Sequence, residues 1–217
     1  MSAADPGPKA GPPSWLRWAR ALQSVAQAGL TYARDDYDLE RYRDVQRVAA
    51  EIAAAGSAGD AGAIARFFAS ERGYPTPKVD VRSAVIAEDR ILLVREREDG
   101  GWTMPGGWAD VGESAADAAV RETWEEAGVR VRAVKLIALL DRERRGHPRH
   151  PEYSYKVFFA CKLVEPATPR PASAEITEAG FFARDALPRL SLARITPEEI
   201  ELAFKHHHAP ELAAEFD

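Results

Sequence analysis

Hydrophobic positions change their spacing partway along the chain. From Trp15 to about Ser70 they recur every three or four residues. Trp15, Leu16, Trp18, Ala19, Leu22, Val25 and Ala26 make one apolar stripe, which predicts a helix that stops near Gly29 and buries both tryptophans in a core. A second helix is expected after Asp35 or Asp36, either of which suits an N-cap. It would run through Tyr42, Val45, Val48 and Ile52 until Gly56, Gly59 and Gly62 interrupt it. Ile64, Phe67 and Phe68 mark a shorter third helix. Pro75 and Pro77 then each remove a backbone donor and bias the preceding residue to extended geometry, so a linker follows.

Beyond the linker the apolar residues come in short runs. Val81 to Ala87 and Ile91 to Arg95 predict two strands turning at Glu88-Asp89, and Val129 to Leu140 one long strand or two bent ones. Tyr155 to Val164 predicts another strand, and Phe181-Phe182 a last short one. Ser114 can cap a helix over Ala115 to Ala127, and Thr196-Pro197-Glu198-Glu199 opens a final helix as a capping box. The expected fold class is α+β. A tail (1–13), a small all-α domain (14–72), a linker (73–80), a mixed-sheet sandwich domain (81–209) and a C-terminal tail (210–217) divide the 217 residues.

Composition narrows the function classes. With 46% hydrophobic and 29% charged residues the chain has a soluble globular mix. The net charge of −5 argues against nucleic-acid binding through bulk charge. The helical part is neutral, so the negative excess lies in the second part. The single cysteine, Cys161, excludes an intrachain disulfide and a cysteine-rich zinc site. No apolar run reaches the ~20 residues of a membrane span, and the start shows no secretory pattern, so a cytoplasmic protein is expected.

One stretch carries chemistry. Gly106-Gly107 is followed by five residues and Glu113, then by seven residues and Arg121-Glu122-Thr123-Trp124-Glu125-Glu126-Ala127-Gly128. At ~100° per residue, Glu122 and Glu126 lie ~40° apart on one helix face, with Glu125 beside them. A Glu-Glu pair alone is usually a solvated face. Carboxylates gathered this closely repel unless a cation neutralises them, and oxygen ligands select hard cations such as Mg²⁺ or Mn²⁺. Arg121 can hold a carboxylate in a bidentate pair, and the paired glycines let the backbone approach and offer a carbonyl.

The register from Gly107 to Gly128 resembles the signature of the Nudix hydrolase superfamily, with Thr123 standing where an aliphatic residue is usual. The segments Trp18-Ala19-Arg20, Gly29-Leu30-Thr31-Tyr32, Tyr37-Asp38-Leu39-Glu40-Arg41-Tyr42, Gly73-Tyr74-Pro75-Thr76-Pro77-Lys78-Val79-Asp80-Val81-Arg82, Pro105-Gly106-Gly107-Trp108-Ala109-Asp110-Val111-Gly112 and Leu187-Pro188-Arg189-Leu190-Ser191 are similar to a bacterial subfamily of CDP-choline and ADP-ribose pyrophosphatases. The resemblance implies a Nudix α/β/α sandwich after a small helical domain. It also implies a homodimer, with the N-terminal helical domains reaching or exchanging with a neighbour. The activity implied is Mg²⁺- or Mn²⁺-dependent hydrolysis of a nucleoside diphosphate linked to X, a small-molecule substrate, with neither a membrane nor nucleic acid as partner. Gly106, Glu113, Glu122, Glu125 and Glu126 would form the metal site, with Arg121 assisting. Glu125 is the first candidate for the base, and Glu143 or Glu152 on the loop after the long strand are the alternatives.

That loop also carries Arg142, Arg144, Arg145, His147, Arg149 and His150, which would either draw in an anionic substrate or simply be solvated. Tyr32, Tyr37, Trp102 and Tyr153 are candidates for holding a nucleobase, Arg142 and Lys156 for contacting phosphate. His206-His207-His208 reads as a polar helix end rather than a metal site. The competing functions are an RNA-end or nucleoside triphosphate hydrolase of the same superfamily, and an ADP-ribose-sensing transcription regulator without catalysis. An intact acidic box and a neutral N-terminal domain disfavour the regulator.

Overall fold

The computed structural model describes residues 12–150 and 152–217. The first eleven residues of the expected tail lie outside them. Contacts divide the chain into a helical unit, which includes residues 149–153, and a second unit of residues 78–148 and 154–217.

The helical unit holds α1 (Ser14–Tyr32), α2 (Asp36–Ser57) and α3 (Ala61–Ser70). Asp35 caps α2 by accepting from the Tyr37 and Asp38 amides, and Asp60 caps α3 in the same way. Ala19, Ala49, Ala50, Ala53 and Phe68 form its buried core. Two expectations change here. Gly29 does not end α1. It lies inside the helix, where a Cβ would strike the Tyr42 ring, so glycine serves close packing of α1 on α2. Trp18 is 59% exposed and not a core residue, whereas Trp15 is partly buried under Gly56. In the same unit Arg20 donates to the carbonyls of His150 and Glu152 and lies 5.4 Å from the Tyr153 ring centroid.

In the second unit, β1 (Lys78–Ala87) joins two sets of strands. Its residues from Lys78 to Val85 pair in parallel with β5 (Ser154–Leu163), and Ile86 and Ala87 pair antiparallel with β2 (Arg90–Glu96). Beyond β5 lie β4 (Val131–Asp141) and then β7 (Glu215–Phe216), while β2 also pairs with β3 (Trp102–Thr103) and β6 (Ile176–Ala183). The period-two alternation of β2 builds two cores. Ile91 and Leu93 pack with Ile200, Ala203 and Phe204 of α5 (Pro197–His208), and Leu92 and Val94 pack with Ala127 of α4 (Ala115–Ala127). The result is an α/β/α sandwich.

Residues 210–217, expected as a tail, end in β7, and the Asp217 carboxylate accepts from the Asp141 amide at 2.7 Å. β6 is eight residues long rather than a short stub at Phe181-Phe182. Among the described residues no helix is long and apolar enough to cross a membrane.

Candidate active site

Helix α4 begins at Ser114, whose hydroxyl accepts from the Asp117 amide at 3.1 Å, and ends at Gly128 in the left-handed region, φ 65°. Its inner face is small. Ala118 and Ala119 pack with Val81 and Val157, which brings the helix close to β1. Thr123 is buried as well, and its hydroxyl donates to the Ala119 carbonyl at 2.7 Å. The polar departure at this position is thereby satisfied by the helix itself.

This packing sets the carboxylates against the Gly106-Gly107 turn. The Gly106 amide donates to Glu126 Oε2 at 2.9 Å. Gly106 has φ 149°, and a Cβ there would fall 1.9 Å from the Val81 carbonyl oxygen. At Gly107 a Cβ would lie 2.9 Å from Glu122 Oε1. Gly106 is therefore required sterically by the strand behind it, whereas a side chain at Gly107 would have to displace the end of Glu122.

Arg121 ties the cluster together. It donates to both Glu113 oxygens (2.8 and 3.1 Å), to Glu122 Oε1 (2.9 Å) and to Glu125 Oε2 (3.0 Å). Hydrogen bonding to Arg121 holds Glu113 down at about 2, and the same bond to Glu113 leads the effects that raise Arg121. Glu126 is the opposite case. Burial, with Glu122 and Glu96 nearby, pushes it up to about 8 against the pull of Arg82 and the Gly106 amide. Burial also raises Glu122. Only oxygen donors meet here, and a buried carboxylate beside a second one is costly as two anions. A hard divalent cation satisfies both conditions, so Glu122 and Glu126 fit one.

Behind the cluster lies a buried charge network. Arg82 donates to Asp80 Oδ1 (2.9 Å) and to the Met104 carbonyl (3.2 Å), bracing the segment that leads into Gly106. Lys156 Nζ donates to Asp80 Oδ2 (2.5 Å) and to the Arg194 carbonyl (2.7 Å). Burial opposes the Asp80 charge, but Arg82 and Lys156 outweigh it and leave the carboxyl below its usual value.

A sequence profile described as the NUDIX domain matches residues 76–203. The chain belongs to the Nudix hydrolase family. A second profile, the UDP-X-like N-terminal oligomerisation domain, matches residues 13–68. A Bacillus subtilis (strain 168) protein named as an ADP-ribose pyrophosphatase, YjhB, is 39% identical over 203 residues, which span 94% of this chain and 97% of that one. A crystal structure of a UDP-X diphosphatase is 30% identical, covers 94% of this chain and 98% of its own, and superposes with a TM-score of 0.59. The crystal structure of an ADP-ribose pyrophosphatase from Streptococcus suis 89-1591 is 40% identical over 65% of this chain and all of its own, also with a TM-score of 0.59.

The Nudix box thus gathers Gly106, Glu113, Arg121, Glu122, Glu125 and Glu126 in one place. Other expected residues lie elsewhere. Lys156 is wholly buried and occupied by Asp80, so it is not a surface contact for phosphate. Arg142 is buried too, donates to the Ala193 carbonyl, and lies 3.8 Å from the equally buried Glu143. In the rest of the basic loop Arg145 and His147 are pinned, whereas Arg144, Arg149 and His150 are exposed. Arg145 pairs with Asp217 at 2.7 Å, and the His147 ring nitrogens lie 2.8 and 2.9 Å from the Leu192 carbonyl and Glu199. Trp102 packs edge-on against Phe182. Tyr32, Tyr37, Glu152 and Tyr153 belong to the helical unit and are not among the residues the second unit gathers around α4.

Asp80, Arg82 and Trp108 lie in segments that carry the resemblance, but the sequence alone assigns them no role. Asp80 and Arg82 stand two apart in a strand whose other residues are mostly apolar, and that spacing on one strand face is the available signal for a buried ion pair. Trp108 follows Gly107 directly, the residue is 46% exposed, and its carbonyl accepts from Arg121 at 3.4 Å. It sits inside the box, whereas Tyr32, Tyr37, Trp102 and Tyr153 lie outside it.

Proposed function

We propose that this Nudix enzyme hydrolyses the pyrophosphate bond of a nucleoside diphosphate linked to X, with ADP-ribose and CDP-choline as the leading substrates. The products are a nucleoside monophosphate and a phosphorylated X. The observation that carries the reading is the half-buried meeting of Glu122 and Glu126 against Gly106-Gly107. The full-length similarity to a protein named as an ADP-ribose pyrophosphatase and to a UDP-X diphosphatase supports the substrate class.

In this reading Glu122, Glu126 and the Gly106 carbonyl hold Mg²⁺ or Mn²⁺, with Glu113 or Glu125 completing the set. When bound, such ions neutralise charge on the diphosphate and make water more acidic. Glu125 is the half-exposed member of the cluster, its side chain 50% accessible, and it orients and deprotonates the attacking water. The new P–O bond forms in line as the bridging P–O bond breaks, and the proton passes to Glu125. Glu143 is a poorer base, because its carboxylate is buried beside Arg142. Arg121 acts as the positioning residue that keeps Glu113, Glu122 and Glu125 aligned. The exposed Trp108 ring offers a stacking surface for the nucleobase.

A cytoplasmic homodimer completes the proposal, with helical domains exchanged between protomers; the match to an oligomerisation domain supports the association. The test is monoester release, coupled to a phosphatase, from ADP-ribose, CDP-choline, nucleoside triphosphates and short RNA. Cleavage of ADP-ribose or CDP-choline that vanishes in Glu126→Gln is the expected result. Cleavage of RNA or triphosphates alone would overturn the substrate class, and binding of ADP-ribose without turnover would favour a sensor.

A further inference from the structure

We propose that Asp89, His207 and His208 form a second cation site, selective for Zn²⁺ and its borderline neighbours. Asp89 sits in the turn between β1 and β2, and its backbone is in the left-handed region, φ 56°. His207 and His208 close the last turn of α5. The fold brings these groups together although His208 and Asp89 are 119 residues apart in sequence. One ligand atom from each of the three lies within 4.8 Å of the other two, and all three residues are exposed.

The geometry suits a small tetrahedral ion. His208 Nε2 lies 2.8 Å from Asp89 Oδ1, and the His207 and His208 rings have centroids 5.3 Å apart at 66°. The His208 ring also stacks on Phe204 at 6.2 Å and 29°, which steadies the side chain that meets Asp89. Metal–ligand bonds of ~2.1 Å at tetrahedral angles place ligand atoms ~3.4 Å apart. Small rotations of exposed side chains bring the present separations to that value. Two imidazoles with one carboxylate, and a water in the remaining position, make a set that selects Zn²⁺, Co²⁺ or Ni²⁺ over Mg²⁺. The oxygen-only cluster on α4 has the reverse preference, and the two sets share no residue. Arg184, the cation whose charge interacts with Asp89, is itself paired with Glu201.

Such an ion would tie the β1–β2 turn to the end of α5, far along the chain from the Nudix box. Its effect is therefore on stability rather than turnover, and it does not depend on which nucleotide is cleaved. The test is calorimetric titration of Zn²⁺ into the full chain at about pH 7.5, with excess Mg²⁺ occupying oxygen-only sites. One Zn²⁺ equivalent is expected in the wild type and in Glu126→Gln, together with a rise in Tm. The His207→Ala/His208→Ala double variant should lose both, and Asp89→Asn should weaken binding by about tenfold or more. Unchanged nucleotide turnover in the double variant would show that its fold is intact. No uptake by the wild type, equal uptake by the double variant, or loss of the event in Glu126→Gln would each overturn the assignment.

Discussion

Helices α2 and α4 each carry a face of carboxylates and arginine at spacings of three and four, and the two faces end in opposite physical states. On α2, Arg47 reaches Asp44 at 3.3 Å and Glu51 at 2.8 Å, with side chains 55–66% accessible. On α4, Arg121 makes contacts just as short, yet the Glu122 side chain is only 16% accessible and the Glu126 residue 8%. The difference is what lies under the helix. Ala118 and Ala119 bring α4 down onto a strand and a paired-glycine turn, whereas the α2 pairs face water. Charge on α2 is screened and worth little. Charge on α4 is concentrated where water is scarce, which raises the cost of each anion and the gain from a cation.

The largest break in that contrast should come from Glu126→Gln. The substitution keeps the shape and the Gly106 bond acceptor but removes the charge. kcat/KM should fall by roughly 10²–10⁴-fold, the scale of several kcal/mol of cation-dependent stabilisation. Steady-state kinetics on ADP-ribose or CDP-choline would measure it, and a loss under tenfold would remove Glu126 from the central role. Next comes Gly106→Ala. Its Cβ would meet the Val81 carbonyl oxygen and its backbone conformation disfavours a side chain, so stability should drop by about 1–3 kcal/mol in denaturant unfolding. An unchanged midpoint would show that the turn can relax away from β1.

The contrast also explains what the sequence could and could not disclose. The box was legible because its spacing is unusual as a whole, and the caps at Ser114, Asp35 and Thr196 were legible because capping is a local interaction. Lys156 was misread because a lysine in a strand looks solvated until its partner is known, and Asp80 lies 76 residues away. Trp18 was misread because its stripe says that one face is apolar, not that every member of it is covered. β3 and β7 are two residues long, too short for any periodicity, and arise only from pairing with β2 and β4. Gly29 looked like a helix stop because its steric role depends on Tyr42, across the helix pair.

A smaller and more diagnostic effect is the pH dependence of the metal-free protein. A carboxyl raised to about 8 when folded and near 4.5 when unfolded holds its proton better in the native state over that window. Its stabilising contribution is present at the acid end and is lost as pH rises through 8. The Tm of the metal-free enzyme should thus carry a downward component between about pH 4.5 and 8, levelling off above that, and Mg²⁺ should restore stability most at the upper end. Glu126→Gln should flatten that component. If the slope survives the substitution, the titrating group is another, with Glu122 and Glu96 next in order because burial raises both.

The smallest effect should be at α2, where the comparison is sharpened rather than broken. Arg47→Ala removes ion pairs to two carboxylates, Asp44 and Glu51, and Arg121→Ala removes pairs of similar length to three, Glu113, Glu122 and Glu125. If short contact distances alone governed the energetics, the two arginine substitutions would have similar consequences. Exposure predicts otherwise. Arg47→Ala should change stability only slightly, less still in high salt, and should leave kcat/KM untouched. Arg121→Ala should lower kcat/KM sharply, because it frees three carboxylates from one another's alignment. Running both variants through the same unfolding and turnover assays at low and high salt separates contact from environment. A stability loss at Arg47 as large as at Arg121 would mean that the packing beneath α4 is not what distinguishes the two faces.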